Sequence, residues 1–240
     1  MRKLFISTLL GFGILVFGIS AGAVAYLPAP CLTGASGLTR VPSATVLPYK
    51  NWNLATDYGM TWDKAQTPQL YYKANLGTFH SFEMGLVGGL DGTGEELREG
   101  VFINMKYSPT LGDGSDPLLL AIGVENLASK TQTGLYMVAT KPFKQGFDLS
   151  FGFLADFPAG KFRPLGLAGL EIPVGQLSFL TDLFAGENVF QLNAGLRYHL
   201  ISAFAFDIRG INILADENSN ASTSKDPKSI LAGFSWINPF

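Results

Sequence analysis

The amino-acid sequence predicts an all-β protein, an antiparallel transmembrane β-barrel of about 12 strands that follows a cleaved signal peptide. Three observations predict this fold class. Charged residues make up only 15% of the 240-residue chain, which has 28 Gly and 19 Phe, whereas an average soluble domain is about a quarter charged. No run of about 18 apolar residues follows residue 25, so a transmembrane helix is not expected. Segments of about ten residues repeatedly alternate apolar with polar or small side chains, as lipid-embedded strands do.

The first 25 residues have the organisation of a signal peptide. It starts with the positively charged Arg2 and Lys3, continues with the almost uncharged run Leu4 to Ile19, and ends with the small-x-small pattern Ala23-Val24-Ala25. We expect cleavage before Tyr26, with an uncleaved anchor helix as the alternative. Lipidation of Cys31 is disfavoured, because Pro30 precedes it where a small residue is expected. Cys31 is the only cysteine, so no intrachain disulfide can form.

Residues 26–50 form a Pro/Gly-rich segment that we expect either to stay in the periplasm or to enter the barrel lumen, and residues 51–240 form the barrel. The cleanest predicted strand is Phe190 to Leu200. Its apolar positions alternate strictly with Gln191, Asn193, Gly195, Arg197 and His199. A helix would scatter these residues around its circumference, whereas a strand separates them onto two faces.

The same alternation predicts the other strands. It is clear in five segments: Phe82–Val87, Val101–Tyr107, Leu118–Glu125, Phe147–Phe153 and Ala203–Arg209. It is fainter in Trp52–Met60 and Leu70–Leu76. Its phase is ambiguous in Thr133–Thr140, Phe162–Ile172 and Leu177–Ala185. With Ser229–Phe240 the count is twelve, and an even count places both termini in the periplasm.

The connections mostly agree with this count. Outer loops are predicted at Asp91–Gly100 and Leu214–Lys228, and short periplasmic turns at Pro142–Gly146 and Leu200–Ser202. The long Ser108–Pro117 connection does not fit a periplasmic turn, so ten or fourteen strands remain alternatives. A secreted β-sandwich is the soluble alternative. It is disfavoured because the polar face is largely Gly, Ala, Ser and Asn.

The chain ends in Phe240, and Phe234 and Trp236 share its parity. A C-terminal strand of this kind resembles the signal that the barrel assembly machinery recognises. We therefore expect a bacterial outer-membrane location, with outer-membrane lipid and the assembly machinery as partners. The net charge of −2 gives no reason to expect nucleic acid as a partner.

The segment Gly37-Leu38-Thr39-Arg40-Val41-Pro42-Ser43-Ala44 precedes Leu47-Pro48 and the first strand. It resembles the opening of YjbH-type outer-membrane barrels, in which a Gly-Leu-x-x-x-Pro-[Thr/Ser]-Ala segment leads into the first strand. Further similar stretches are Leu76–Leu86, Ala121–Glu125, Leu135–Lys141 and Asn193–Tyr198. The resemblance implies a link to exopolysaccharide production or export, with polysaccharide or envelope proteins as further partners.

Charged residues on the polar faces of the predicted strands are predicted to face the lumen. The candidates are Asp57, Lys73, Glu83, Lys106, Glu125, Asp148, Asp182, Arg197, Asp207 and Arg209. They are interpreted either as a pore lining or binding site for a polar polymer, or as cross-strand salt bridges that fill a closed lumen. Because an unpaired buried charge is costly, the second interpretation is favoured.

No residue set predicts catalysis, and neither a metal nor a cofactor is expected. His80 and His199 are the only histidines, and Ser202, near His199, lies in no recognisable signature. Asp91–Glu96 and Asp113–Asp116 lack the full ligand spacing of a calcium loop. The expected function is therefore non-enzymatic: a barrel associated with exopolysaccharide or with envelope structure. A porin-like small-solute channel is the alternative, and a barrel lipid hydrolase a distant third.

Overall fold

The structure is a computed structural model. It describes residues 26–62, 66–91, 96–109, 117–127, 129, 132–158, 160–187, 189–214 and 227–238. The predicted signal peptide lies outside these residues.

The described chain forms a closed antiparallel barrel of twelve strands, which confirms the predicted fold class. The strands are β1 (Trp52–Thr61), β2 (Pro68–Phe79), β3 (Phe82–Asp91), β4 (Glu96–Tyr107), β5 (Leu119–Leu127), β6 (Gln132–Phe143), β7 (Phe147–Pro158), β8 (Arg163–Val174), β9 (Leu177–Gly186), β10 (Val189–Ile201), β11 (Phe204–Ile211) and β12 (Ser229–Asn238). Among the described residues no helix has the length and hydropathy needed to cross a membrane.

Each strand pairs with its neighbours in sequence, and β1 pairs with β12 to close the barrel. The closing pair runs in full register from Trp52 opposite Asn238 to Thr61 opposite Ser229. The rim that carries Trp52 and Asn238 is called the terminal rim below, and the opposite one the distal rim. The predicted loop Asp91–Gly100 is wrong in extent, because β4 already begins at Glu96, which pairs with Leu90.

The alternation in sequence becomes two faces of the barrel wall. In β1 the outward Leu54 and Tyr58 are exposed, while the inward Asn53 and Asp57 are buried. The outer face at the terminal rim carries contacting aromatic rings of β1, β11 and β12: Trp52, Phe204, Phe206, Phe234 and Trp236. Phe234 and Trp236 of the predicted assembly signal lie in this group, and Phe240 lies outside the described residues.

Residues 26–50, called the plug below, lie inside the barrel. The plug enters at the terminal rim, where the Tyr26 ring stacks on His199 with 3.9 Å between centroids. It leaves at the same rim, where the Lys50 N–H donates to Gly77 O at 2.8 Å. Between these points it reaches the distal end of the lumen, where Leu32 packs against Ile211. The plug is therefore U-shaped, with both ends at one rim.

The plug fills a space that the wall leaves open. Side chains alone fill barrels of about eight strands, and wider barrels enclose cavities. The inward side chains here are often small, such as Ala121, Ser150 and Ser235. The plug also makes its own turns: the Leu32 N–H donates to Thr39 O at 2.9 Å, and the Cys31 N–H to Ala35 O at 2.8 Å. It is thus a folded element rather than a strand of the wall.

Candidate functional site: the filled lumen

An ion network covers the inner wall of β1, β2, β10 and β11. Its members are buried residues of both signs: Asp57, Lys73, Arg197, Asp207 and Arg209. Asp207 pairs with Arg197 and with Arg209, each at 2.8 Å. Asp57 pairs with Arg209 at 2.9 Å and also with Lys73. The three cations and two carboxylates leave one positive charge that the network itself does not balance.

A glycine allows this network to cross β12. Gly233 lies opposite Asp57 on one side and opposite Asp207 on the other. A Cβ at this position would collide with Asp57 Oδ1 and lie 3.3 Å from Asp207 Cβ. The missing side chain therefore lets charged groups from β1 and β11 meet in front of β12.

The network cations also bind main-chain carbonyl oxygens of the plug. The contacts are Arg209 to Pro30 O at 2.9 Å, Lys73 to Cys31 O at 3.0 Å, and Arg197 to Gly37 O at 3.2 Å and Leu38 O at 3.5 Å. The carbonyl dipoles of the plug thus supply partial negative charge to the network, in which the cations outnumber the carboxylates by one.

Glu83 of β3 binds the plug in the opposite sense, as an acceptor. Its carboxylate accepts the Ser36 N–H at 2.8 Å, the Ser36 hydroxyl at 2.5 Å and the Leu47 N–H at 3.0 Å. Lys106 of β4 lies 3.6 Å from the same carboxylate and donates to Ser36 O at 2.8 Å and Ser43 O at 3.3 Å. Hydrogen bonds to charged groups are stronger than those between neutral ones, so this pair is a principal anchor of the plug.

Asp182 of β9 is a second acceptor. One of its oxygens accepts the N–H groups of Arg40 at 2.7 Å and Val41 at 3.0 Å, and the other accepts the Asn193 amide at 2.7 Å. Three N–H donors partly offset the cost of burying this carboxylate. Asp182 therefore holds the turn of the plug against the wall.

An apolar cluster occupies part of the inner face of the wall from β5 to β10. Leu38, Val41 and Ala44 of the plug belong to one buried cluster with wall residues of these strands: Ala121, Tyr136, Val138, Leu154, Leu165, Leu167, Leu180, Phe184 and Val189. The plug is thus held both by hydrogen bonds to polar wall residues and by apolar packing.

The structure places nine of the ten lumen candidates in the buried interior: Asp57, Lys73, Glu83, Lys106, Glu125, Asp182, Arg197, Asp207 and Arg209. Asp148 differs. It is only half-buried near the terminal rim, opposite Glu171 of β8. Glu125 lies toward the distal rim, close enough to Arg40 for electrostatic attraction.

Neutral wall residues that the sequence did not single out also hold the plug. Asn75 donates to Gly34 O at 2.7 Å, Asn104 donates to Thr33 O at 2.6 Å, and Thr140 accepts the Ala44 N–H at 2.8 Å. The signal that could have found them is their parity, because each occupies an inward position of its strand.

The candidates for catalysis and metal binding do not form a site in the described part of the chain. His199 stacks on Tyr26, and His80 lies beside the Tyr49 ring at 5.4 Å. Among the described residues no hydrogen bond joins His199 to Ser202, and no group of three His, Cys, Asp or Glu could hold a metal ion. Most of the two calcium-like loops lies outside the described residues.

Cys31 directly precedes Leu32 in the plug, and its thiol is fully buried. The thiol lies 3.2 Å from the Thr33 hydroxyl. Burial raises the pKa of the Cys31 thiol above its ordinary value, because the thiolate is poorly solvated there. The reactivity of the Cys31 thiol therefore reports whether the plug is docked.

A scan against models of protein families finds no match, and a search of curated proteins finds no relative. A search of solved structures finds matching chains, among them one described as "NanC porin structure in rhombohedral crystal form". That chain is 12% identical with a TM-score of 0.56, and the match covers 76% of this chain and 98% of that one. At this identity the likeness concerns the fold.

Proposed function

We propose that this protein is a non-enzymatic, porin-like channel of the bacterial outer membrane whose lumen is closed by its own plug and conducts when the plug is displaced. The observation that carries the proposal is the set of buried charges that bind the plug main chain. The groups that would line a pore, such as Lys73, Glu83 and Asp182, are engaged by the plug in the docked state.

The outward face supports the membrane location. It exposes large apolar side chains on successive strands, including Ile122, Met137, Phe151 and Ile208. Closed barrels satisfy every main-chain hydrogen bond within the wall, which is what a lipid environment requires. Aromatic rings cluster at the terminal rim, as at the interfaces of outer-membrane barrels.

The polar lumen supports a channel rather than a permanently solid barrel. Replacing a buried ion pair with packed apolar residues is often neutral or stabilising, so a barrel that never opened would gain little from its ion network. A wall that carries both signs suits a lumen that becomes hydrated when the plug leaves. The link to exopolysaccharide, which rests on the family resemblance, stays a prediction.

Single-channel conductance in a planar bilayer tests the proposal. The refolded full-length protein should give a quiet baseline with rare openings. V41D should open far more often, because Val41 is fully buried in the apolar cluster and an ionised carboxylate there is strongly disfavoured. Y49D is the matched control, since Tyr49 is exposed at the terminal rim, and it should remain quiet.

Two results would contradict the proposal. One is a large steady conductance of the wild-type protein, because the plug would then not close the lumen. The other is a folded V41D barrel that stays silent. Folding is checked independently by the electrophoretic mobility of the unheated barrel in detergent.

A further inference from the structure

The hydrogen bonds between wall and plug go mainly to the plug's main chain. Wall side chains bind main-chain atoms of twelve plug residues: Pro30, Cys31, Thr33, Gly34, Ser36, Gly37, Leu38, Arg40, Val41, Ser43, Ala44 and Leu47. Among the described residues, the plug side chains that hydrogen-bond to the wall are those of Ser36, Arg40 and Thr33. Hydrogen bonds of this kind recognise a polypeptide main chain more than a particular sequence of side chains.

The enclosed side chains are small, which lets the wall approach the backbone. Ala29, Ala35 and Ala44 are buried, as is Ser36. Gly34 has a φ of +107°, and a Cβ there would lie 2.5 Å from the Asn104 amide nitrogen. At these positions of the plug, small side chains let the wall approach the main chain.

One larger side chain has a prepared place. A Cβ on Gly169 of β8 would lie 2.9 Å from Leu38 Cδ1, so the glycine makes room for that leucine. The surrounding cluster is apolar. The lumen thus combines fixed backbone contacts with room for a few aliphatic side chains, namely Leu32, Leu38, Val41 and Leu47.

The donors and the acceptors of the wall are separate charged groups, even where Glu83 and Lys106 lie side by side at Ser36. Glu83 and Asp182 accept from N–H groups, whereas Lys73, Lys106, Arg197 and Arg209 donate to carbonyl oxygens. A peptide group offers one fixed donor and one fixed acceptor. A sugar hydroxyl rotates and can serve as either, so a saccharide would not require this separation.

We propose that the lumen is a binding site for polypeptide segments with small side chains, that residues 29–47 are its resident ligand, and that a free peptide of this kind binds in their place. The proposal rests on the proposed function, since the resident segment must be able to leave. A ligand would reach the site from the terminal rim, through which both ends of the plug pass.

The test uses the full-length V41D barrel, whose own plug is weakened while its wall is unchanged. The probe is a synthetic peptide of residues 29–47 with C31S. We expect it to lower the open probability of the channel about ten-fold at millimolar concentration. Concentrations of that order are needed because a tethered segment has an effective concentration in the millimolar range.

Two methylated peptides separate backbone recognition from side-chain recognition. Methylation of the main-chain nitrogens of Val41 and Leu47 removes one donor to Asp182 and one donor to Glu83 and keeps every side chain. This peptide should not close the channel. Methylation at Thr45, whose N–H contacts no wall group among the described residues, should leave the closing effect intact.

Several outcomes would overturn the inference. Equal closure by both methylated peptides would show that the backbone is not recognised, and equal closure by an oligosaccharide of similar length would favour a saccharide site. If V41D does not fold, L38D replaces it. If neither folded variant opens, the proposed function fails, and peptide binding is then measured by the alkylation rate of Cys31 in the wild-type barrel. That rate should rise about ten-fold with the peptide present, and an unchanged rate would refute the binding site as well.

Discussion

The anchor at Glu83 allows the strength of plug docking to be measured. E83Q keeps the size of the side chain but removes the charge that accepts three hydrogen bonds from the plug. It also leaves the buried Lys106, now 3.6 Å from a neutral amide, without its carboxylate partner. The docked state should therefore become less stable relative to the undocked state, in which Lys106 can be hydrated.

The expected size follows from the two contributions. Hydrogen bonds to a charged group contribute about 1.5–3 kcal/mol each, and removing one partner of a buried ion pair costs about 3–5 kcal/mol. Because the hydrogen bonds and the ion pair share one carboxylate, their contributions are not added. The estimate for E83Q is therefore the ion-pair range of about 3–5 kcal/mol. At about 1.4 kcal/mol per factor of ten, the population of undocked plug should rise by about a hundred-fold to a few thousand-fold.

Alkylation of Cys31 by a small maleimide measures this population, because the thiol is fully buried when the plug is docked. The labelling rate of E83Q should exceed that of the wild type by at least about a hundred-fold. E171Q is the matched control. Glu171 is a half-buried carboxylate that makes no described contact with the plug, so its neutralisation should leave labelling unchanged.

An E83Q barrel that is folded and labels at the wild-type rate would refute this reasoning. It would mean that the carboxylate does not contribute to docking. Equal acceleration in E171Q would refute it differently, since any loss of negative charge from the wall would then loosen the plug.

Three further predictions follow from the wall and from Cys31. G233A should destabilise the barrel by about 1–3 kcal/mol in urea, because the added methyl collides with a carboxylate of the ion network; G166A, with its nearest atom at 3.6 Å, should change stability little. I208K should cost about 2–4 kcal/mol in liposomes if that outward face meets lipid, whereas L214K, exposed beyond the end of β11, should not. Labelling of Cys31 should follow the ordinary thiol pKa of about 8.5, because reaction occurs from the undocked state, and a profile with the raised pKa of the buried thiol would mean attack in place.

The sequence predicted the number of strands because one physical constraint dominates the wall. Each strand must place one set of side chains outward and the other inward, so the period of two is visible at Phe190–Leu200 without any tertiary information. The structure confirms twelve strands, including the three segments whose phase was ambiguous. Loop extents were less predictable, as β4 shows, because pairing with β3 extends the strand beyond its alternating part.

The ambiguity of those three segments has a structural cause. Their inward residues are apolar as well, for example Val138 in β6, Leu167 in β8 and Leu180 in β9, and these residues pack against the plug. A strand whose inward and outward side chains are both apolar does not show an alternation of apolar and polar residues. The contacts that fix the plug could not be predicted, because they join residues up to 179 positions apart, as between Pro30 and Arg209.

The U-shape of the plug has a consequence for biogenesis. Because both arms of the segment pass through the same opening, the plug can slide into an already closed cylinder without the chain being threaded through a ring, and the topology stays free of knots. Closure of the β1–β12 seam, which joins the two most distant strands of the chain, and insertion of the plug can therefore be separate kinetic steps. A newly closed barrel would pass through a hollow intermediate before it becomes sealed.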